Sequence, residues 1–248
     1  MRRRDPWLAA ALVVSALLVA VVAVPQVWLL RASLTAPDGS ATLAHFAAFF
    51  GGERYRAALR NSAILSVTVV ALAMLVAVPL AFVHARYALP GRNAVLTLAA
   101  MATVTPPFLG AYVWIMLLGW SGVLSEALRA LGIPFESIVG FKGMVWVGTW
   151  SAVGLVFLFA YDAFSTADPS LEEAAMSVGA SRLRAYLQVS LPMATPALLT
   201  VGYLVLMSAF TDFGTPRIIS TSVEAATSTT LAVEAIDGLV ATSPMNAS

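Results

Sequence analysis

The sequence contains no cysteine, and only 11% of its 248 residues are charged. Soluble domains carry roughly 25% charged residues. The missing cysteine excludes disulfides, thiol nucleophiles and cysteine-ligated metals. Net charge is +1, and no basic tract offers a nucleic-acid surface. The two histidines, His45 and His84, have no further ligands clustered near them, so no metal centre is expected. A Walker A motif is also missing, so ATP binding by this chain in the usual way is not expected. What is abundant is apolar: 60% of the residues are hydrophobic, the composition of a membrane protein.

A hydrocarbon core about 30 Å thick needs ~20 apolar residues in a helix. Five uncharged runs meet or approach this: 7–30, 62–83, 94–120, 143–161 and 193–211. Lipid leaves unpaired backbone groups unsatisfied, so these runs predict helices and an all-α, polytopic transmembrane bundle. The first run follows Arg2, Arg3 and Arg4 but is too long for a signal-peptide core, and reads as a retained helix. Prolines punctuate the runs at Pro25, Pro79 and the Pro106–Pro107 pair, each favouring a kink; the double proline can equally mark a broken helix beside a pathway. Basic residues divide evenly between the two sides of this topology, so their count does not orient the chain. The Arg2–Arg4 cluster favours a cytoplasmic N-terminus. Between the spans, "AHFAAFFGGERYRAALRNS" suits an interfacial helix, and Asn61 can cap the second span. "SEALRAL" is a second, shorter amphipathic piece.

The polar residues concentrate in one internal interval, 165–192. Within it, "DPSLEEAAMSVG" carries helix-start signals in two registers. Asp168 can cap a helix with Pro169 at its first position, or Ser170 and Glu173 can form a capping box. Glu172 and Glu173 then lie where the helix dipole favours negative charge. Ala174 and Ala175 leave a small, smooth surface, and Gly179 suits a left-handed C-terminal cap. In "ASRLRAYLQVSLP", Ser181 can cap a second short helix. Leu183, Tyr186, Leu187 and Val189 share one broad face, and Pro192 is expected to end or kink that helix. The interval therefore reads as two helices joined by a glycine turn, a rigid knob on a membrane domain.

At these residues the chain resembles the permease subunits of binding-protein-dependent ABC importers. The family signature is E-A-A, three residues, G, nine residues, I-x-L-P. Here it runs Glu173-Ala174-Ala175, Gly179, then Val189-Ser190-Leu191-Pro192, with Val in place of Ile. The resemblance extends over about residues 55 to 220, and more loosely over the first helix. It implies that the loop inserts into a cytoplasmic ATPase and couples ATP-driven closure to alternating access. Glu172, Glu173, Ala174, Ala175, Gly179, Leu191 and Pro192 are the coupling residues on this reading. It also implies a dimer of ATPase subunits and an extracytoplasmic solute-binding protein as partners. A second permease half, identical, homologous or fused, completes the set. The setting would be a bacterial inner membrane and its lipid, with no cofactor in this chain. "TDFGTPRIIS" resembles the ferric-iron and polyamine branches of that family.

Candidate pathway or gate residues are the polar and proline positions of the spans: Ser66, Thr68, Thr103, Thr105, Pro106, Pro107, Tyr203, Ser208 and Asp212. Hydroxyls within spans also glue helices together, and Asp212 can equally serve a helix terminus. "GMVWVGTWSAVG" has the small residues of close helix packing. The D-F-G at 212–214 lacks every companion of a kinase site. Family members commonly have six spans, and "TLAVEAIDGL" is too short and charged to cross, so the sequence reads as ending before a sixth span. An intramembrane enzyme would need convergent catalytic groups, and none is visible in the spans. An ATP-independent channel would leave the knob unexplained.

Overall fold

The computed structural model describes residues 6–36, 38–219 and 229–241. The Arg2–Arg4 cluster that favours a cytoplasmic N-terminus lies outside these residues. The described residues are helical, with no strand among them. The chain divides into two compact units, Met1–Arg56 and Ala57–Ser248.

The first unit holds α1 (Pro6–Ser33) and the short α2 (Ala44–Gly51). The large apolar side chains of α1, from Trp7 to Leu30, stay exposed, as expected of a helix hydrophobic all round that meets lipid. In the connection that follows, Asp38 accepts hydrogen bonds from the hydroxyl and the N–H of Ser40. These bonds hold its carboxyl below the usual aspartate range.

The second unit is built on α3 (Glu53–Arg86), from Ala57 onward, and on α7 (Phe141–Thr166). Leu65, Val69, Ala73, Ala77 and Ala81 recur every fourth residue of α3 and are buried. That spacing places them on one helical stripe. Facing them in the core are Met144, Val147, Val156, Phe157 and Phe164 of α7, with Val201 and Val205 of α10 (Leu191–Thr211). Against α7 also pack α4 (Arg92–Val104), α5 (Pro107–Leu118) and α11 (Gly214–Ile219). Between them run α6 (Val123–Ala130), α8 (Ser170–Ser177) and α9 (Arg182–Ala185). The last helix among the described residues is α12 (Leu231–Ala241). Arg92 fastens the start of α4 to α7, donating to the Tyr161 hydroxyl with its guanidinium 5.1 Å from the ring centroid.

Among the described residues, five helical stretches are long and apolar enough to cross a membrane: Ala10–Ser33, Glu53–Arg86, Pro107–Ala130, Phe141–Thr166 and Arg182–Thr211. They confirm an all-α multi-pass protein but move three sequence expectations. First, the run 94–120 is not one helix. Pro107 drives Pro106 into extended backbone (φ −60°, ψ 134°), and Thr105 follows it (φ −76°, ψ 121°). The residue before a proline is pushed out of the helical region, so the pair breaks the run into α4 and α5. Second, α3 begins at Glu53, which puts Asn61 inside the helix and not at its cap. The Asn61 amide instead donates to the Thr229 carbonyl at 3.1 Å. Beside it the Leu231 N–H donates to the Ser62 hydroxyl at 2.8 Å, so the segment before α12 is tied back onto α3.

Third, Pro192 does not end its helix. Residues Tyr186–Ser190 widen into a π-helical turn in which the Leu191 N–H reaches back five residues to the Tyr186 carbonyl. Proline lacks an N–H, and its ring clashes with the carbonyl four residues earlier. A single π turn relieves both conflicts locally, and the helix continues into α10.

The small residues of "GMVWVGTWSAVG" do permit close packing. A Cβ on Gly148 would meet Val69 of α3 at 2.8 Å, and one on Gly154 would meet the Ala99 carbonyl of α4 at 2.9 Å.

Candidate functional site: a helical hairpin and an interhelical pocket

Two places gather the sequence-marked residues. The first is the hairpin between α7 and α10. The start of α8 adopts the first of the two capping registers. The Asp168 carboxylate accepts the Ser170 N–H at 2.9 Å, Pro169 is already helical at φ −63°, ψ −23°, and the Glu173 N–H goes to the Pro169 carbonyl. A Ser170–Glu173 box would have needed that N–H. The bond from Ser170 holds the Asp168 carboxyl below the usual aspartate range, with a smaller contribution from the Arg86 charge. The cap therefore stays ionised at neutral pH.

The end of α8 is a Schellman motif. The Gly179 N–H bonds the Met176 carbonyl at 3.0 Å, and the Ala180 N–H bonds the Ala175 carbonyl at 3.1 Å, the 5→2 and 6→1 pair that closes such an end. Gly179 has φ 95°, and nothing lies within 4 Å of where its Cβ would be. Only the backbone conformation therefore demands glycine. Gly179→Ala is expected to destabilise the turn by about 1 kcal/mol. Exchange of the Gly179 and Ala180 amides should then speed up several-fold in hydrogen–deuterium exchange. Gly179→Asn, which tolerates the left-handed region better, should speed it less.

Beyond the turn, the Ser181 hydroxyl accepts the Arg184 N–H at 3.3 Å and caps α9. The expected apolar face of α9 is divided. Ala185 and Ser190 are buried and Tyr186 is half-buried, whereas Leu183 (66%) and Leu187 (49%) are exposed. Helical spacing groups such residues but does not say which side finds a neighbour. Val178, at the hairpin tip, is 86% exposed.

Of the marked residues in the hairpin, Glu173 and Ala174 are exposed, Ala175 is half-buried, and Leu191 packs on the core as the first residue of α10. Pro192 follows it, exposed. Glu172 points the other way. Its Oε1 takes Nε of Arg86 at 2.7 Å and Nη2 at 2.6 Å, with both side chains largely covered. Arg86 has no local signal in the sequence; it lies 86 residues from its partner.

The second place is a pocket of about 240 Å³ between α3, α4, α5, α7, α10 and α11. Thr103, Thr105, Pro107 and Asp212 all line it. Pro106 is not among the lining residues, and Tyr203 is 62% exposed elsewhere on α10. Asp212 serves two ends at once: it lines the pocket, and its carboxylate accepts the Thr215 N–H at 3.2 Å, fixing the start of α11. Sequence reasoning missed Ser151 and Thr215. Both line the pocket, and their hydroxyls have no hydrogen-bond partner among the described residues. Ser151 stood inside the small-residue string of α7, where a lone hydroxyl carried no special mark. No Lys, Arg or His lines this pocket, and no group of metal-ligating side chains occurs among the described residues.

Bundle, break, pocket and protruding hairpin together define an all-α, multi-pass membrane protein. Its homologues are permease proteins of ABC transport systems. The chain is 31% identical over 165 residues to the molybdate/tungstate transport system permease protein WtpB of Thermococcus kodakarensis, covering 66% of this chain and 60% of that protein. It is 29% identical over 122 residues to the putative ferric transport system permease protein FbpB 1 of Haemophilus influenzae, covering 48% of this chain and 19% of that one. The chain thus matches less than two thirds of the length of these relatives. Among solved structures, it superposes with a TM-score of 0.77, at 19% identity, on a chain of a bacterial alginate ABC transporter in complex with an alginate pentasaccharide-bound periplasmic protein. That match covers 94% of this chain and 84% of the other. No family model matches the sequence.

Proposed function

We propose that this chain is the transmembrane permease subunit of an ATP-driven solute importer, working by alternating access. The observation that carries the reading is the α8–Gly179–α9 hairpin. It is capped at both ends of α8, is continuous with α10, and presents Glu173, Ala174, Val178 and Leu183 outward. A rigid knob of this kind passes a displacement into the spans that a loose loop would absorb. The occupant that fits is a cytoplasmic ATPase dimer, since this chain shows no nucleotide motif of its own. A second permease half and an extracytoplasmic solute-binding protein complete the assembly. The N-terminus then faces the cytoplasm of a bacterial cell, with the spans in its inner membrane. The test is affinity purification from the native membrane: an ATPase with a Walker A motif should co-purify in near-stoichiometric amount. Recovery of the chain without one would overturn the reading.

The pocket supports a solute path through the second unit. Its wall offers hydroxyls and the Asp212 carboxylate and no Lys, Arg or His, which suits a cation or neutral solute better than an oxyanion. The chain has no cysteine, so one introduced thiol can be labelled alone. Ser208 of α10 also lines the pocket, and Ser208→Cys is expected to react with a water-borne methanethiosulfonate ethylammonium reagent at least tenfold faster than Tyr203→Cys. Equal rates would remove the pocket from the path.

A further inference from the structure

Glu172 and Glu173 are neighbours in sequence with opposite surroundings. Glu173 is exposed. Glu172 is 14% exposed and paired with Arg86, itself 12% exposed. Arg86 is the last residue of α3. Its remaining guanidinium nitrogen, Nη1, donates to the Ala167 carbonyl at 3.3 Å, just past the end of α7. One planar fork therefore joins three elements: the end of α3, the end of α7 and the first turn of α8. The geometry suits arginine. Its donors point in fixed directions and can hold a carboxylate and a carbonyl at once. The carbonyl it takes belongs to a helix end, where acceptors lack intrahelical donors. A second, longer contact runs parallel to it, from Arg182 of α9 to the Tyr87 hydroxyl at 3.5 Å. By contrast, α8 buries none of its own residues. The ion pair is thus its charged tie to the spans.

We propose that the two acids divide the coupling task. Glu173 meets the partner, whereas Glu172, held by Arg86, positions α8 and delivers its displacement to α3. This rests on the docking reading above, with one change: Glu172 acts through Arg86 and does not touch the ATPase.

The experiment uses the transporter assembled with its co-purified ATPase. Spin labels are placed at Leu75→Cys in α3 and Leu204→Cys in α10, both exposed in a chain without native cysteine. Two quantities are read: recovery of the ATPase, and the change in label separation on adding ATP and vanadate. Glu172→Gln and Arg86→Gln should each keep ATPase recovery within twofold but reduce the ATP-driven change at least by half. The exchanged pair, Arg86→Glu with Glu172→Arg, should restore at least half of what is lost. A merely structural role would not show such rescue. The proposal falls if Glu172→Gln lowers ATPase recovery as much as Glu173→Lys does. It falls also if the label separation changes as in the parent transporter when the pair is broken, or if the exchanged pair restores nothing. Should Glu173→Lys itself leave ATPase recovery intact, the assignment of Glu173 to the docking surface fails on its own, and the separation measurement still decides the role of Arg86.

Discussion

Glu173→Lys is expected to reduce recovery of the ATPase with this chain at least tenfold. Glu173 lies in the first turn of α8 and is exposed, so reversing its charge opens no cavity. A positive charge near a helix N-terminus costs about 0.3–1 kcal/mol, too little to unfold a hairpin capped by Asp168 and closed at Gly179. Loss of recovery would therefore report a lost contact and not a lost fold. Across an interface, a tenfold loss corresponds to about 1.4 kcal/mol, and disrupting one partner of a buried, hydrogen-bonded charge pair costs roughly 2–5 kcal/mol. Glu126→Lys, on α6 and outside the hairpin, is the control and should leave recovery unchanged. Parallel circular dichroism of both variants checks that the helices persist. Undiminished recovery in Glu173→Lys would remove this residue from the docking surface.

The largest stability effect is expected at Gly143, in the first turn of α7. A Cβ there would lie 1.8 Å from the Ile138 carbonyl oxygen and 3.0 Å from the Ile219 side chain. The obstacle is backbone, and it is pinned. The Ile138 N–H is bonded to the Leu118 carbonyl at 2.8 Å, and the Gly140 N–H to the Ile219 carbonyl at 3.4 Å. The ends of α5 and α11 and the start of α7 therefore meet at this turn. Overpacking of a core costs typically about 1–3 kcal/mol, and Gly143→Ala should fall at or above the upper end. It would be measured as a fall in unfolding midpoint of the purified protein. Gly51→Ala, with open space around its Cβ, should be close to neutral. Gly148→Ala separates the two kinds of crowding. Its Cβ meets only the Val69 side chain, so Val69→Ala should relieve it, whereas Ile219→Ala should not rescue Gly143→Ala. Rescue of Gly143→Ala by Ile219→Ala would show that the side chain, not the carbonyl, is the obstacle.

The spans and the hairpin were legible because each rests on short-range chemistry. An apolar run in lipid must satisfy its own backbone, whatever lies beside it, so α1, α3, α7 and α10 could be read with shifted ends. Asp168, Gly179 and Ser181 act on N–H and carbonyl groups within a few residues of themselves, so the hairpin's caps were visible, although two registers remained open at α8. The double proline marked a break, but its depth followed from successive restrictions on Thr105 and Pro106. At Pro192 the same kind of reasoning offered an end or a kink; the helix does not end there, and a π turn lies just upstream.

Composition and periodicity by themselves determined that this is an all-α membrane protein, roughly where most of its spans run, and where its polar knob stands. Tertiary structure alone decided which of two adjacent acids faces inward, because Arg86 reaches Glu172 from 86 residues away. It also decided which face of α9 is covered, and that Thr103, Thr105, Pro107 and Asp212 share a pocket with Ser151 and Thr215 while Tyr203 does not. Each of these depends on which helices become neighbours. Period and capping describe a helix against its own axis, and only packing fixes what stands beside it.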